Sequence, residues 1–157
     1  MDVPNERLDA DAMGRAWSEL LMTHPELRSV VETANEGRLM QRMGQAEPIA
    51  PVLFDWSKYD PSIVSDKFAT FLADERNAGV GAKQCPNFRV AIFVLGPDQS
   101  KLVWTLPHHL LDGRCFAALL DEVFQRYRRI LDGDQTKVSS SAAPSVFEQH
   151  CRQLADM

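Results

Sequence analysis

Between Arg89 and Leu131 the spacing of apolar residues changes its period, and this change limits what the chain can fold into. Arg89-Val-Ala-Ile-Phe-Val-Leu95 is almost wholly apolar and rich in β-prone residues. Gly96-Pro97-Asp98 supplies turn chemistry, and Lys101 to Leu106 reads as the returning strand. The pair predicts an antiparallel hairpin buried on at least one side. From Phe116 the period lengthens: Phe116, Leu119, Leu120, Val123, Phe124, Tyr127, Ile130 and Leu131 recur at helical spacing. This is the strongest helix signal in the chain. Hairpin followed by amphipathic helix points to an α/β fold, with a sheet flanked by helices.

Other segments add elements around that unit. Asp9 or Asp11 can cap a first helix whose Met13, Ala16, Trp17, Leu20 and Leu21 fall on one face. Pro25 ends it or starts a short turn carrying Leu27 and Arg28. Residues 38–43 and 52–54 look like short strands. Asp60-Pro61 opens another helix with a capping carboxylate and a first-turn proline. Val64, Phe68, Phe71 and Leu72 line its apolar face, and Gly79 and Gly81 follow its end. Residues 132–144 read as an exposed linker. Ser145 and Glu148 then stand at capping-box spacing before a last helix with Phe147, Cys151 and Leu154.

Composition removes several classes of function. At 157 residues and 45% apolar content the chain suits one domain with a real core. A net charge of −5 and the lack of a basic block argue against nucleic acid as a partner. Cys85, Cys115 and Cys151 are odd in number and scattered, so neither a disulfide framework nor a zinc site is expected. No leader opens the chain and no apolar run would span a bilayer, which leaves a soluble cytoplasmic protein without membrane contact as the expectation.

The chemistry concentrates between hairpin and helix, in Trp104-Thr-Leu-Pro-His108-His109-Leu-Leu-Asp112-Gly113-Arg114. If the strand continues to the histidines, His108 shares a face with Trp104 and Leu106 while His109 points the other way. Such neighbours are poor joint ligands, and no third ligand is evident, so no metal is expected. General-base chemistry fits better. An imidazole near its ordinary pKa of about 6.5 is mostly neutral at pH 7 and can accept a proton. It could take that proton from an amine or hydroxyl attacking an acyl carbonyl. Asp112 either orients the imidazole or pins the turn by pairing with Arg28 or Arg114, and the short spacing favours the second role. Gly113 supplies a conformation or a close approach that a side chain would block. The plainer alternative is two histidines that merely finish a strand. Cys115, near in sequence, reads as an inert buried thiol one turn into an apolar helix. His24 and His150 stand alone and read as helix-end or surface residues.

His108-xxx-Asp112-Gly113 after an apolar strand and before an amphipathic helix resembles the signature of the condensation domains of nonribosomal peptide synthetases. These belong to the chloramphenicol-acetyltransferase-like acyltransferase superfamily. The family pattern is His-His-x-x-x-Asp-Gly. Counted back from Asp112, His108 matches its second, catalytic histidine, Pro107 replaces the first, and His109 falls on a variable position. His24-Pro-Glu-Leu27-Arg28-Ser29 is similar to the family's His-x-x-Leu-Arg-Thr, with serine for threonine. Ala73 to Leu106 is similar to the loop and hairpin before the histidine motif. Phe147 to Gln153 lies where the family has an aromatic-Asp-aromatic-x-x-Trp segment, of which only the first aromatic survives. Arg114 follows Asp-Gly where many peptide-forming members carry tryptophan.

The resemblance implies a mixed β-sheet flanked by helices, forming the N-terminal lobe of a two-lobed acyltransferase, so residues 1–157 would be a single partial domain. The first family signature is unmatched, so part of the opening strand is expected to be missing. The implied chemistry is attack of an amine or hydroxyl on an acyl thioester carried by phosphopantetheine on an acyl or peptidyl carrier protein, or by coenzyme A, with no bound cofactor. His108 is the implied catalytic histidine. Asp112 and Gly113 hold the turn, Arg28 is an ion partner for Asp112, and His109 and Arg114 are secondary candidates. The expected partners are a carrier protein and either a complementary C-terminal lobe or a second copy. Alone, the lobe would leave His108 in water and be inactive, with apolar surface and a sheet edge exposed. Two other readings stand beside this one: a degenerate lobe kept as a docking module, and an ester-forming O-acyltransferase, toward which Asp-Gly-Arg leans.

Overall fold

The computed structural model describes residues 1–33, 37–81, 85–111, 113 and 115–134. In chain order these form β1 (Asp2–Pro4), α1 (Ala10–Thr23), a 3-10 turn (Pro25–Arg28), β2 (Ser29–Thr33), β3 (Leu39–Met43), β4 (Val52–Asp55), α2 (Pro61–Ala78), β5 (Arg89–Gly96), β6 (Gln99–Thr105) and α3 (Cys115–Leu131). The four-stranded sheet has the order β1-β6-β5-β4. Its β5–β6 and β1–β6 pairs are antiparallel, and β4 runs parallel to β5. β2 and β3 make a separate antiparallel ribbon. The sheet is therefore mixed, as expected. The expected last helix lies outside the described residues, as does the linker beyond its exposed first residues, Asp132 to Asp134.

The hairpin is buried more deeply than its apolar run requires, because β5 packs on both faces. Val90 and Ile92 enter the core built with α1 and α3. Ala91 and Phe93 point to the opposite face, under α2. Phe93 is fully buried, and its ring meets Phe54, Trp56, Phe68 and Phe71 at centroid distances of 4.9, 4.6, 5.2 and 4.8 Å. Helices thus cover both sides of the sheet, the usual environment of a strand with no polar alternation. Val64, Phe68 and Phe71 carry the packing of α2, and Leu72, expected beside them, is not part of that cluster.

The helix ends follow local chemistry. The Asp9 carboxylate accepts a hydrogen bond from the Ala12 amide at 2.7 Å and so caps α1. Asp60 does the same for Ser62 at 2.9 Å, with Pro61 in the first turn of α2. Gly79 ends α2 with φ of 60°, a backbone conformation that glycine adopts without strain. On α3 the buried stripe is Leu119, Val123, Tyr127 and Ile130. Leu131, included in the periodic pattern, is instead 51% exposed as the last residue of the helix. Cys115 corrects a second expectation. As the first residue of α3, ahead of Leu119, it is exposed rather than buried.

Candidate active site

The ladder between β5 and β6 closes at the pair Arg89–Thr105. Beyond Thr105 no residue of β5 remains to pair with, and Pro107 has no N–H to donate. The strand therefore stops short of the histidines, and His108 and His109 do not alternate across a sheet. They occupy the centre of a turn in which the Leu110 amide donates to the Pro107 carbonyl at 3.1 Å. Both histidines are exposed. Leu110 and Leu111, immediately after them, are buried in the core shared by α1, α3 and the sheet. The turn thus presents its imidazoles outward and is anchored by its leucines.

The support beneath the turn is aromatic. Trp104, near the end of β6, lies 4.8 Å from Trp17 of α1, 5.9 Å from Phe88 and 5.3 Å from Phe116 of α3, measured between ring centroids. Helix α3 is thereby fixed against the strand that leads into the turn, as the sequence order implies.

A side contact comes from Asn87, which sequence reasoning did not single out. Asn87 is fully buried. Its Nδ2 donates to the Ser29 carbonyl at 3.0 Å and reaches His109 Nε2 at 3.4 Å. No sequence signal marks it, since an asparagine between Pro86 and Phe88 just before a strand is ordinary; burial is what gives the amide its need for partners. Arg28, directly before Ser29, is partly buried, and its Nε is shielded from solvent with no acceptor among the described residues. Asp112 and Arg114 lie outside the described residues. Gly113 corrects an expectation: it is exposed, a Cβ built on it would meet nothing within 4 Å, and it is not among the glycines with positive φ. Neither a close approach among the described residues nor a left-handed backbone explains glycine there.

A second histidine, His24, is built quite differently. It caps the end of α1, its amide donating to Leu20 O at 2.9 Å. Its Nδ1 lies 3.0 Å from a Glu26 oxygen and its Nε2 2.8 Å from a Glu122 oxygen on α3. Glu122 also pairs with Arg126, whose Nη2 donates to Thr23 Oγ1 at 2.9 Å. Glu19 of α1 pairs with Arg129 and lies 3.7 Å from Arg126. The Glu26 hydrogen bond, helped by Glu122 and opposed by burial, holds the His24 pKa above its ordinary value. Burial works against ionisation of Glu26 and Glu122, yet their hydrogen bonds to His24, and for Glu122 to Arg126, hold both below the ordinary glutamate range. His24 does lie at a helix end, but it is not isolated.

Among the described residues no group of three His, Cys, Asp or Glu side chains could hold a metal ion, and no helix is long and apolar enough to cross a membrane.

Comparison with known proteins agrees with this architecture. The chain is 28% identical over 131 residues to a component of the linear gramicidin synthase of Brevibacillus parabrevis, covering 83% of this chain and 2% of that protein. It is 26% identical over 130 residues to a component of the mycosubtilin synthase of Bacillus subtilis, covering 83% of this chain and 5% of that one. Among solved structures, the starter condensation domain of rhizomide synthetase superposes with a TM-score of 0.77 at 18% identity, covering 99% of this chain and 36% of that one. The epimerization domain from the third module of tyrocidine synthetase B superposes with a TM-score of 0.74 at 20% identity, over 99% and 35% of the two chains. At such identities the superpositions show the fold. The chain therefore spans about a third of these solved domains and a few per cent of the curated synthetases. The profile of the condensation domain matches residues 4–157, so this chain belongs to the condensation-domain family.

Proposed function

We propose that this chain supplies the histidine-bearing lobe of an enzyme that transfers an acyl group from a thioester to an amine or hydroxyl. The observation that carries this reading is the setting of His108 in a chain of this family: exposed, at the centre of a turn, and backed by two buried leucines. His108 accepts the proton of the attacking N–H or O–H as the nucleophile bonds to the thioester carbonyl carbon. The C–S bond then breaks, and the departing sulfur takes up a proton to leave as a thiol. Asp112 braces the turn. Arg28, with a buried donor lacking an acceptor among the described residues, is the proposed ion partner of Asp112. The thioester is carried by an acyl or peptidyl carrier protein through its phosphopantetheine arm, or by coenzyme A. A second lobe closes over the turn, because a solvated base gains little from orientation.

The test combines the chain with the complementary lobe of a condensation domain, an acyl thioester and a panel of amines and alcohols. Transfer is expected, with a loss of about 10²–10⁴-fold in His108→Ala, the usual contribution of a positioned general base. Transfer undiminished in that variant overturns the assignment. Preference for alcohols over amines would identify an ester-forming O-acyltransferase.

A second reading, a docking module without catalysis, is favoured by one observation. Val52 and Leu53 of the edge strand β4 are about half exposed, and Leu39 and Met40 of β3 more so. An apolar sheet edge invites a partner strand or a second copy. Solution mass separates the forms of this reading: a strict monomer at high concentration sinks self-association.

A further inference from the structure

We infer that Asn87 and His109 are a pair of positioning residues that set the turn carrying His108; this rests on the role proposed for His108 above. A fully buried amide is costly unless its hydrogen bonds are made. The Asn87 oxygen has no partner among the described residues, so the amide is not explained by satisfying both of its ends. Its nitrogen makes the contacts. One N–H goes to the Ser29 carbonyl at 3.0 Å, which fixes which way the amide faces, since the reversed amide would set two oxygens together. The second N–H reaches His109 Nε2 at 3.4 Å.

Two consequences follow. An asparagine N–H can only donate, so in this contact Nε2 of His109 is the acceptor, and the contact selects the tautomer with the proton on Nδ1. Asn87 also ties together two parts of the site. Ser29 directly follows Arg28, and His109 directly follows His108. The tie crosses 58 residues to Ser29 and 22 to His109. Leu110 and Leu111 hold the turn from behind, and the Leu110–Pro107 hydrogen bond closes it, but neither contact sets where it sits along β2. The Asn87 amide does. His109, out of register with the family's histidine pair, then has a use of its own: it is the handle by which the turn is held.

Long-range proton–nitrogen NMR of the histidine rings in the labelled chain tests the contact, with His109 assigned from His109→Leu. The wild-type ring should show an unprotonated Nε2 and a protonated Nδ1. Asn87→Asp, which places an acceptor there, should shift the proton to Nε2, and Asn87→Leu should abolish the preference. Transfer with the complementary lobe tests the role. In Asn87→Leu and His109→Leu, kcat should fall about tenfold or more with KM for the thioester unchanged, as expected when a reacting group is misplaced but binding is intact. His109 is exposed, so its variant should fold even if the Asn87 variants do not. A wild-type spectrum without tautomer preference, or one unchanged in Asn87→Leu, overturns the contact. Unchanged kcat in His109→Leu beside a loss in His108→Ala overturns the positioning role alone. Undiminished transfer in His108→Ala overturns the functional reading instead, and the ring spectra tell that failure from the first.

Discussion

The junction around His24 and the turn around His108 use the same side chain in opposite ways. His24 is clamped between two carboxylates from different elements, with Arg126, Arg129 and Glu19 completing the charge network between α1 and α3. Both of its ring nitrogens face acceptors, which is the arrangement of an imidazolium held as a structural cation. His108 stands in solvent at the tip of a turn whose anchors are apolar. One histidine is fixed by charge and committed to holding two helices together. The other is exposed, and among the described residues its neighbours hold the backbone of the turn rather than the ring. An imidazole serves as a proton acceptor only where its surroundings do not already occupy both nitrogens.

The sharpest way to break this contrast is the pair of substitutions His108→Ala and His24→Ala. The first should lower transfer by about 10²–10⁴-fold and leave the thermal midpoint unchanged, since an exposed turn residue contributes little packing. An equal loss of stability in both variants would erase the distinction. Next in size is Leu110→Ala, which removes a buried anchor of the turn. It should cost about 2–4 kcal/mol by denaturant unfolding and also depress transfer. A loss of transfer without any loss of stability would show that Leu110 does not act through the core.

His24→Leu should cost less, about 1–2 kcal/mol, because the charge-assisted hydrogen bonds it removes are only partly shielded from water. A double-mutant cycle with Glu122→Gln should show coupling between the two positions, and strict additivity would refute the clamp. The smallest effect is on pH dependence. The His24 pKa is raised from 6.5 in the folded chain, so its contribution is full below 6.5 and is lost as pH rises through the raised folded value. The Glu26 and Glu122 values are lowered from 4.5, so their contribution is full above 4.5 and is lost as pH falls through their lowered folded values. Stability of the junction should therefore be greatest between these limits. Unfolding free energies measured across pH should lose their alkaline limb in His24→Leu, and an unchanged limb would assign it to other groups.

Much of the architecture was legible because it is written in local patterns. The run from Val90 to Leu95, the turn at Gly96 and the stripe from Leu119 to Ile130 each encode an element through period and turn chemistry. The Asp9 and Asp60 caps were legible for the same reason. The end of β6 was not. An apolar run up to Leu106 reads as strand, but a strand ends where its partner begins, and Arg89 opens β5 opposite Thr105. That single limit moved both histidines from a strand end into a turn and removed the argument that they face opposite sides of a sheet. Asn87 was overlooked because a polar residue just before a strand is ordinary in a sequence, and only its burial makes it informative.

Although β1 and β2 carried no such signal, by itself the sequence determined the hairpin, the three helices that are described, the position of the histidine motif between hairpin and helix, and the family the chain resembles. These rest on spacing and residue type, which act over a turn or a strand at a time. Tertiary structure alone decided which groups meet across long separations: His24 with Glu122, 98 residues apart, and Asn87 with both Ser29 and His109. The environment of a titratable ring depends on what folds against it, so one histidine became clamped between two carboxylates and another stayed exposed in a turn.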